Sequence, residues 1–331
     1  MEQYEVPGAE VLVAAPEGMW STEQGVTDLE SGDPIESGMA WPLRSVTKSV
    51  VVTVLLQLVD EGEVSLEDTI DQYVNDVPNG GEITLHQLAN MTSGVGDYTR
   101  SESFLHVLMG NPSQSFTLEA LNRYGLAEGA QFEPGIDHVY SNTATNLLGV
   151  VIEEVTGKWI AEVIDQRIIQ ELGLADTVYA ESEDDWVSPH AQGHQPAEGE
   201  VAPIFNNFSA MGASGAMIST TTEMAVWAKA LATGELISPE LHEERLVGEP
   251  LSEGPEYDEY ALGIGSIVGW WGHTGEGLGF TSLVMHDEQS DASVVIFMNI
   301  SQAIDAETGK ERHVPTALMR EYARILAAHP W

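Results

Sequence analysis

Cysteine is absent from the 331 residues. That excludes a disulfide framework, a zinc–thiolate site and a cysteine nucleophile. Positive charge is scarce: 12 Lys and Arg stand against 53 Asp and Glu, a net charge of −41. A field of that sign repels phosphate, which argues against nucleic acid and anionic membranes as partners. No run reaches the roughly 18 apolar residues needed to span a bilayer. The longest, Val50 to Val59, is interrupted by Thr53 and Gln57 and reads as a buried helix. The first residues, Met1-Glu2-Gln3-Tyr4-Glu5-Val6-Pro7, carry neither the basic nor the apolar region of a signal peptide. The expectation is a mature extracytoplasmic or secreted form, with the cytoplasm as the alternative. Lysine poverty together with surplus acid also points to a salty habitat.

One of only four lysines, Lys48, follows Ser45 by three positions in Ser45-Val46-Thr47-Lys48, at the mouth of that apolar run. Three residues on a helix is nearly one turn, so hydroxyl and amine share a face. A serine hydroxyl needs a neighbour to take its proton before it acts as a nucleophile. A lysine in a dry site can have its pKa lowered enough to serve. The plain alternative is a helix N-cap followed by a lysine that reaches back to water.

Strand-like segments, Glu10 to Ala15 and Met19 to Val26, flank the turn Pro16-Glu17-Gly18. Others fall at Ala261 to Val268, Phe280 to His286 and Ala292 to Asn299. Helical patterns occupy most of the middle, with a short helix opening at Ser65-Leu66-Glu67-Asp68 and a longer one from Asn142 to Thr156, stopped by Gly157. Helices also span Thr222 to Thr233 and Pro315 to Ala328. The expected fold class is α+β. Residues 1–62 and 212–331 form an antiparallel sheet flanked by helices, residues 63–211 an inserted, mainly helical lobe, and the site lies between them.

Two further motifs follow in order. Tyr140-Ser141-Asn142 stands where a helix begins, and Gly272-His273-Thr274-Gly275 precedes a strand-like run. The trio has the logic of Ser-x-x-Lys, Ser-Asp-Asn and Lys-Thr-Gly in β-lactamases and penicillin-binding proteins. With these motifs the chain resembles the class C β-lactamase-like serine hydrolases, from about Val11 to the last helix. That family contains D-alanyl-D-alanine carboxypeptidases, class C β-lactamases, D-aminopeptidases and esterases, and its carboxypeptidase branch carries the same three motifs.

The resemblance implies Ser45 as nucleophile and acyl carrier, with Lys48 and Tyr140 sharing the proton traffic. Which of the two is the base stays open. Asn142, His273, Thr274, Gly275 and Glu276 are the implied substrate contacts, and the N–H groups of Ser45 and Glu276 the implied oxyanion hole. No cofactor and no metal is implied. The spacing of His190 and His194 suits a metal, but the flanking Pro189, Gly193 and Pro196 argue against a helix there. Of Trp270 and Trp271, at least one belongs to the core, and one is a candidate wall of the cleft.

The chain also departs from the pattern. The carboxypeptidases place an arginine for the substrate carboxylate in the stretch that here reads Tyr260-Ala261-Leu262-Gly263-Ile264-Gly265-Ser266, and the small polar residue after the third motif is Glu276. The expected function is acyl-enzyme hydrolysis of small esters or amides. The alternatives are a D-alanyl-D-alanine carboxypeptidase, a D-aminopeptidase or a weak β-lactamase. A further alternative is an idle homologue that binds peptides or penicillin. If a carboxylate is held, Arg100 or Arg123 of the helical lobe is the candidate.

Overall fold

Alternating and apolar segments from both chain ends meet in one sheet. The computed structural model describes residues 2–197 and 200–328. Its strands are β1 (Gly8–Ala15), β2 (Gly18–Gly25), β3 (Trp41–Pro42), β4 (Val178–Tyr179), β5 (His194–Ala197), β6 (Glu200–Pro203), β7 (Met217–Ser219), β8 (Glu259–Tyr260), β9 (Gly265–Ile267), β10 (Trp270–Gly277), β11 (Phe280–Asp287) and β12 (Ala292–Met298). Its helices are α1 (Val46–Asp60), α2 (Leu85–Ala89), α3 (Glu102–Gly110), α4 (Leu118–Ala127), α5 (Asn142–Thr156), α6 (Ile160–Ile164), α7 (Gln170–Leu172), α8 (Thr221–Thr233), α9 (Pro239–Arg245) and α10 (Val314–Ala328).

The main sheet is antiparallel, in the order β2-β1-β12-β11-β10-β9-β8. The first chain segment therefore enters beside the last strand, with Val11 opposite Ile296. Every residue of β12 is buried, which requires cover on both faces. Helices α1, α8 and α10 pack on the sheet. Helix α1 is buried nearly all round because α5 lies against it as well. One continuous cluster of buried apolar residues includes β11, β12, α1 and α5, so a division at residues 62 and 211 separates chain segments rather than cores. Among the described residues no helix is long and apolar enough to cross a membrane.

Three local expectations need correction. Ser65 to Asp68 is a turn, closed by Asp68 N–H donating to Ser65 O at 3.0 Å, and not a helix. The strand expected over Ala261 to Val268 is broken. Its chain turns between β8 and β9 at Gly263, whose φ of 64° suits glycine and where a Cβ would press on Val52. The third motif lies inside β10 instead of ahead of a strand. Its glycines hid the strand, since glycine lowers strand propensity.

Candidate active site

Ser45 is the N-cap residue of α1, yet its side chain makes no capping hydrogen bond. Its Oγ instead lies 3.0 Å from Lys48 Nζ, one turn on. Lys48 is fully buried and does not reach back to water. Its other two contacts are acceptors: Asn142 Oδ1 at 2.7 Å and the Ser214 carbonyl at 2.8 Å. Burial holds the Lys48 amine down to about 7, against a smaller upward pull from Asp97. A neutral amine donates to Asn142 and Ser214 and keeps its lone pair for the Ser45 hydroxyl proton.

Asn142 opens α5, whose N-cap is Ser141, with Ala144 N–H donating to the Ser141 hydroxyl. The Asn142 Nδ2 group donates to Asp97 Oδ2 at 2.9 Å and to Thr99 Oγ1 at 3.3 Å. Its amide therefore bridges the buried Asp97 carboxylate to Lys48. Two residues earlier, the Tyr140 ring packs under Lys48, with Nζ 5.0 Å from its centroid. Burial drives the Tyr140 phenol well above its ordinary pKa, and the Tyr260 and Tyr257 hydroxyls push the same way. Ser45 opposes them by favouring the phenolate, although no hydrogen bond of normal geometry forms. The phenol thus keeps its proton, on an oxygen without a partner in the protein.

Strand β10 closes the third side. A Cβ at Gly275 would collide with Leu43 O, Ser282 Oγ and Arg44 Cβ, so only glycine lets β10 approach the turn before Ser45 this closely. Thr274 N–H donates to Tyr257 Oη at 2.7 Å, and the two hydroxyls lie 2.8 Å apart. The Glu276 carboxylate is drawn to Gln302 N–H at 2.6 Å. His313 Nε2 lies 3.2 Å from Gly275 O, while Thr316 N–H donates to its Nδ1, a pattern that places the ring proton on Nε2.

His273 does not face the cleft. It is fully buried, with Nδ1 against Thr274 O at 2.6 Å and Nε2 against Tyr260 Oη at 3.1 Å. Burial and the nearby Lys48 hold it down to about 3, so the imidazole is neutral. It braces the aromatic wall behind Tyr140 and is placed to touch no substrate. Ser45, Tyr140, Asn142, Thr274, Gly275 and Glu276 all line the open cleft. Trp270 is core, and neither Trp270 nor Trp271 lines the cleft. His190 stacks on Trp186 at 3.9 Å and His194 faces Asn299 O at 3.2 Å.

The cleft has two arms that meet at Ser45. The smaller, about 370 Å³, adds Glu256, Glu311, Arg312 and His313 to the motif residues. The larger, about 750 Å³, runs along α3 and the Ile204–Phe205 segment. Arg100 pairs with Glu253 at 2.8 Å, and Arg123 is exposed on α4; neither lines an arm. The cleft arginines are Arg44 and Arg312. Arg44 adopts a φ of 52°, is buried, lies over Phe280 at 5.3 Å and Phe208 at 5.9 Å, and is held down to about 9 by burial.

Sequence reading missed Asp97, Ser214, Arg44, Tyr257, Arg312 and His313. Only Ser214 carried a signal, the small-residue run Gly212-Ala213-Ser214-Gly215-Ala216, which lets a backbone carbonyl approach the buried amine closely.

Comparison with known proteins gives a consistent picture. The model of the family described as Beta-lactamase matches residues 1–317. Esterase EstB of Burkholderia gladioli is 30% identical over 188 residues, 53% of this chain and 48% of EstB. The D-alanyl-D-alanine-carboxypeptidase/endopeptidase AmpH of Escherichia coli K12 is 30% identical over 190 residues, 56% of this chain and 47% of AmpH. The chain thus spans about half the length of these two relatives. The crystal structure of a D-stereospecific amidohydrolase from Streptomyces sp. superposes with a TM-score of 0.85 at 26% identity, covering 97% of this chain and 95% of that one.

Proposed function

The chain belongs to the Beta-lactamase family, and on that premise we propose that it is a serine hydrolase that cleaves small esters or amides through an acyl-enzyme. The observation that carries this reading is the uncapped Ser45 hydroxyl, 3.0 Å from a buried amine held down to about 7. Ser45 Oγ attacks the carbonyl carbon as its proton passes to neutral Lys48. The N–H groups of Ser45 and Glu276 receive the oxyanion. The bond to the leaving group breaks, and the protonated Tyr140 phenol supplies the leaving atom's proton, replenished from Lys48. Water then attacks the acyl carbon along the same proton route, releasing the acid and restoring Ser45. Asn142 and Asp97 orient the amine, Thr274 and Gly275 present the β10 edge to substrate, and His273 supports from behind.

The smaller arm favours substrates whose leaving group is neutral or cationic. Three carboxylates there, Glu256, Glu276 and Glu311, outnumber the single guanidinium of Arg312. A second reading is a D-amino-acid amidase or peptidase. The likeness to the Streptomyces amidohydrolase supports it, and the carboxylates suit a substrate ammonium. The −41 charge supports work in a salty setting.

Labelling tests the nucleophile. A fluorophosphonate probe labels the native protein stoichiometrically, and Ser45→Ala abolishes both the label and p-nitrophenyl ester hydrolysis while circular dichroism stays unchanged. Label persisting on another serine overturns the assignment. A folded native protein that takes no label is the idle homologue.

A further inference from the structure

We propose that the larger arm of the cleft is an acyl-chain subsite, walled by one apolar stripe of α3 and by Phe205, and that it selects esters and amides of medium-length apolar acids. The proposal rests on Ser45 being the residue that is acylated, and it names the substrate's acyl part.

Helix α3 presents apolar side chains of unequal burial to the arm. Phe104, which lines it too, is buried among Tyr98, Phe116 and Tyr124, at ring separations of 5.0, 5.4 and 5.6 Å. Leu105, Leu108 and Met109, spaced i, i+3 and i+4, share a face and line the arm. Leu108 packs partly on the Phe104 cluster, and the other two are left open. Leu105 is 40% exposed, Met109 79%, and Phe205 on the other wall 46%. Three large apolar side chains that converge on one cavity without covering one another mark a binding surface, because scattered exposure would not bring them together. Met211 and Leu278 continue the lining, and the cavity's other end is Ser45.

The walls are tied together. Asn207 Nδ2 donates to Pro112 O at 2.7 Å and to Gln114 O at 2.9 Å, fastening the segment after α3 to the segment that carries Phe205. The arm is thus held open before substrate arrives, which lowers the cost of ordering it on binding. A volume of about 750 Å³ is ample for a medium-length chain. The arm's open end, at Met109, lets a longer chain run on into water.

The test is a series of p-nitrophenyl esters from acetate to dodecanoate. Full burial of one methylene corresponds to about a fourfold gain, and the half-exposed walls reduce this to roughly twofold. The expected result is kcat/KM rising about twofold per methylene to octanoate, then levelling. Met109→Glu and Phe205→Glu each lower the octanoate-to-acetate ratio at least tenfold, and Met109→Ser lowers it less. A flat or falling profile in protein that labels at Ser45 overturns the subsite alone; absence of label overturns the nucleophile assignment. Calorimetry keeps the subsite testable in either case. Ser45→Ala protein binds neutral octanamide with a negative heat-capacity change, and Met109→Glu in that background weakens binding at least tenfold. Equal octanamide binding by both proteins overturns the proposal.

Discussion

The two arms of the cleft share Ser45, Asn142, Glu276 and Glu311 and differ in the residues that each adds to them. The larger draws its apolar wall from α3 and the 204–211 segment, both in the stretch between the two halves of the sheet. The smaller is built by β10 and the segment that leads into α10, and it is charged. The proposed acylating machinery at their junction touches both. On that reading one arm takes the part of a substrate that stays on the serine and the other the part that leaves, so the junction sets reaction type and the residues that the arms do not share set substrate choice.

The largest test asks whether the junction serves both arms equally. Lys48→Ala is expected to lower kcat by about 10²- to 10⁴-fold for every ester, whatever its acyl chain or leaving group. In the native enzyme kcat/KM should rise with pH through an inflection near 7, where Lys48 loses its proton. The sign follows from burial: it lowers the amine's pKa, the neutral form is the proposed base, and on that reading activity appears above that pKa. A loss confined to one substrate class would show that the arms use different bases.

Next in size is the charge of the smaller arm. Two like charges about 4 Å apart repel by roughly 1 kcal/mol in water and about 4 in a half-dry cleft. Gln302 N–H draws on Glu276 and Arg312 stands nearby, so the lower part of that range applies. Glu276→Gln is expected to improve an acyl-D-Ala-D-Ala peptide about tenfold relative to a neutral ester. Arg312→Gln should move the same ratio the other way. Native protein that cleaves the peptide as fast as the ester would remove the charge contrast between the arms.

The arms also differ in how far sequence disclosed them. The junction was legible because Ser45 and Lys48 lie one turn apart and local geometry alone joins them. Tyr140 and Asn142 were legible through the order of the motifs. The sheet ends followed from the strand-like segments on either side of the turn Pro16-Glu17-Gly18 and from the apolar runs of β11 and β12. The rest depends on long-range register. Asp97 reaches Lys48 only through Asn142, 45 residues later in the chain. His313 reaches Gly275 only because α10 returns to the sheet. His273 was read as a contact because strand alternation was not applied through the motif. Its neighbour Thr274 faces the cleft, so His273 faces the core. The apolar stripe of α3 has the spacing of an ordinary core face, and only the fold shows that Leu105 and Met109 stay open at the arm.

A smaller effect separates the junction's tuning from its chemistry. Asp97 pulls the Lys48 pKa upward, against burial. Asp97→Asn keeps an acceptor for Thr99 N–H, which now donates to Asp97 Oδ1 at 3.0 Å, but removes the charge and the second acceptor, to which Asn142 Nδ2 now donates at 2.9 Å. The kcat/KM inflection is expected to move below 7, by up to about one unit. An upward shift would mean that Asp97 acts through another group.

Salt gives the mildest contrast, and it acts on both arms and on the fold in one titration. The Debye length shortens from about 10 Å at 0.1 M to about 3 Å at 1 M. Discrimination against carboxylate leaving groups should therefore fade severalfold between those concentrations, because Glu256 and Glu311 lie open to solvent and Glu276 is only half-buried. Chain-length preference should persist in sodium chloride and strengthen slightly in sulfate, which favours apolar burial. Over the same range the melting temperature should climb, since the repulsion within a chain of net charge −41 is screened. Most of that rise belongs to the first few tenths molar, where screening changes fastest. If both selectivities fall together with salt, the arms are not independent. If the melting temperature stays flat, the acidic surface does not govern stability.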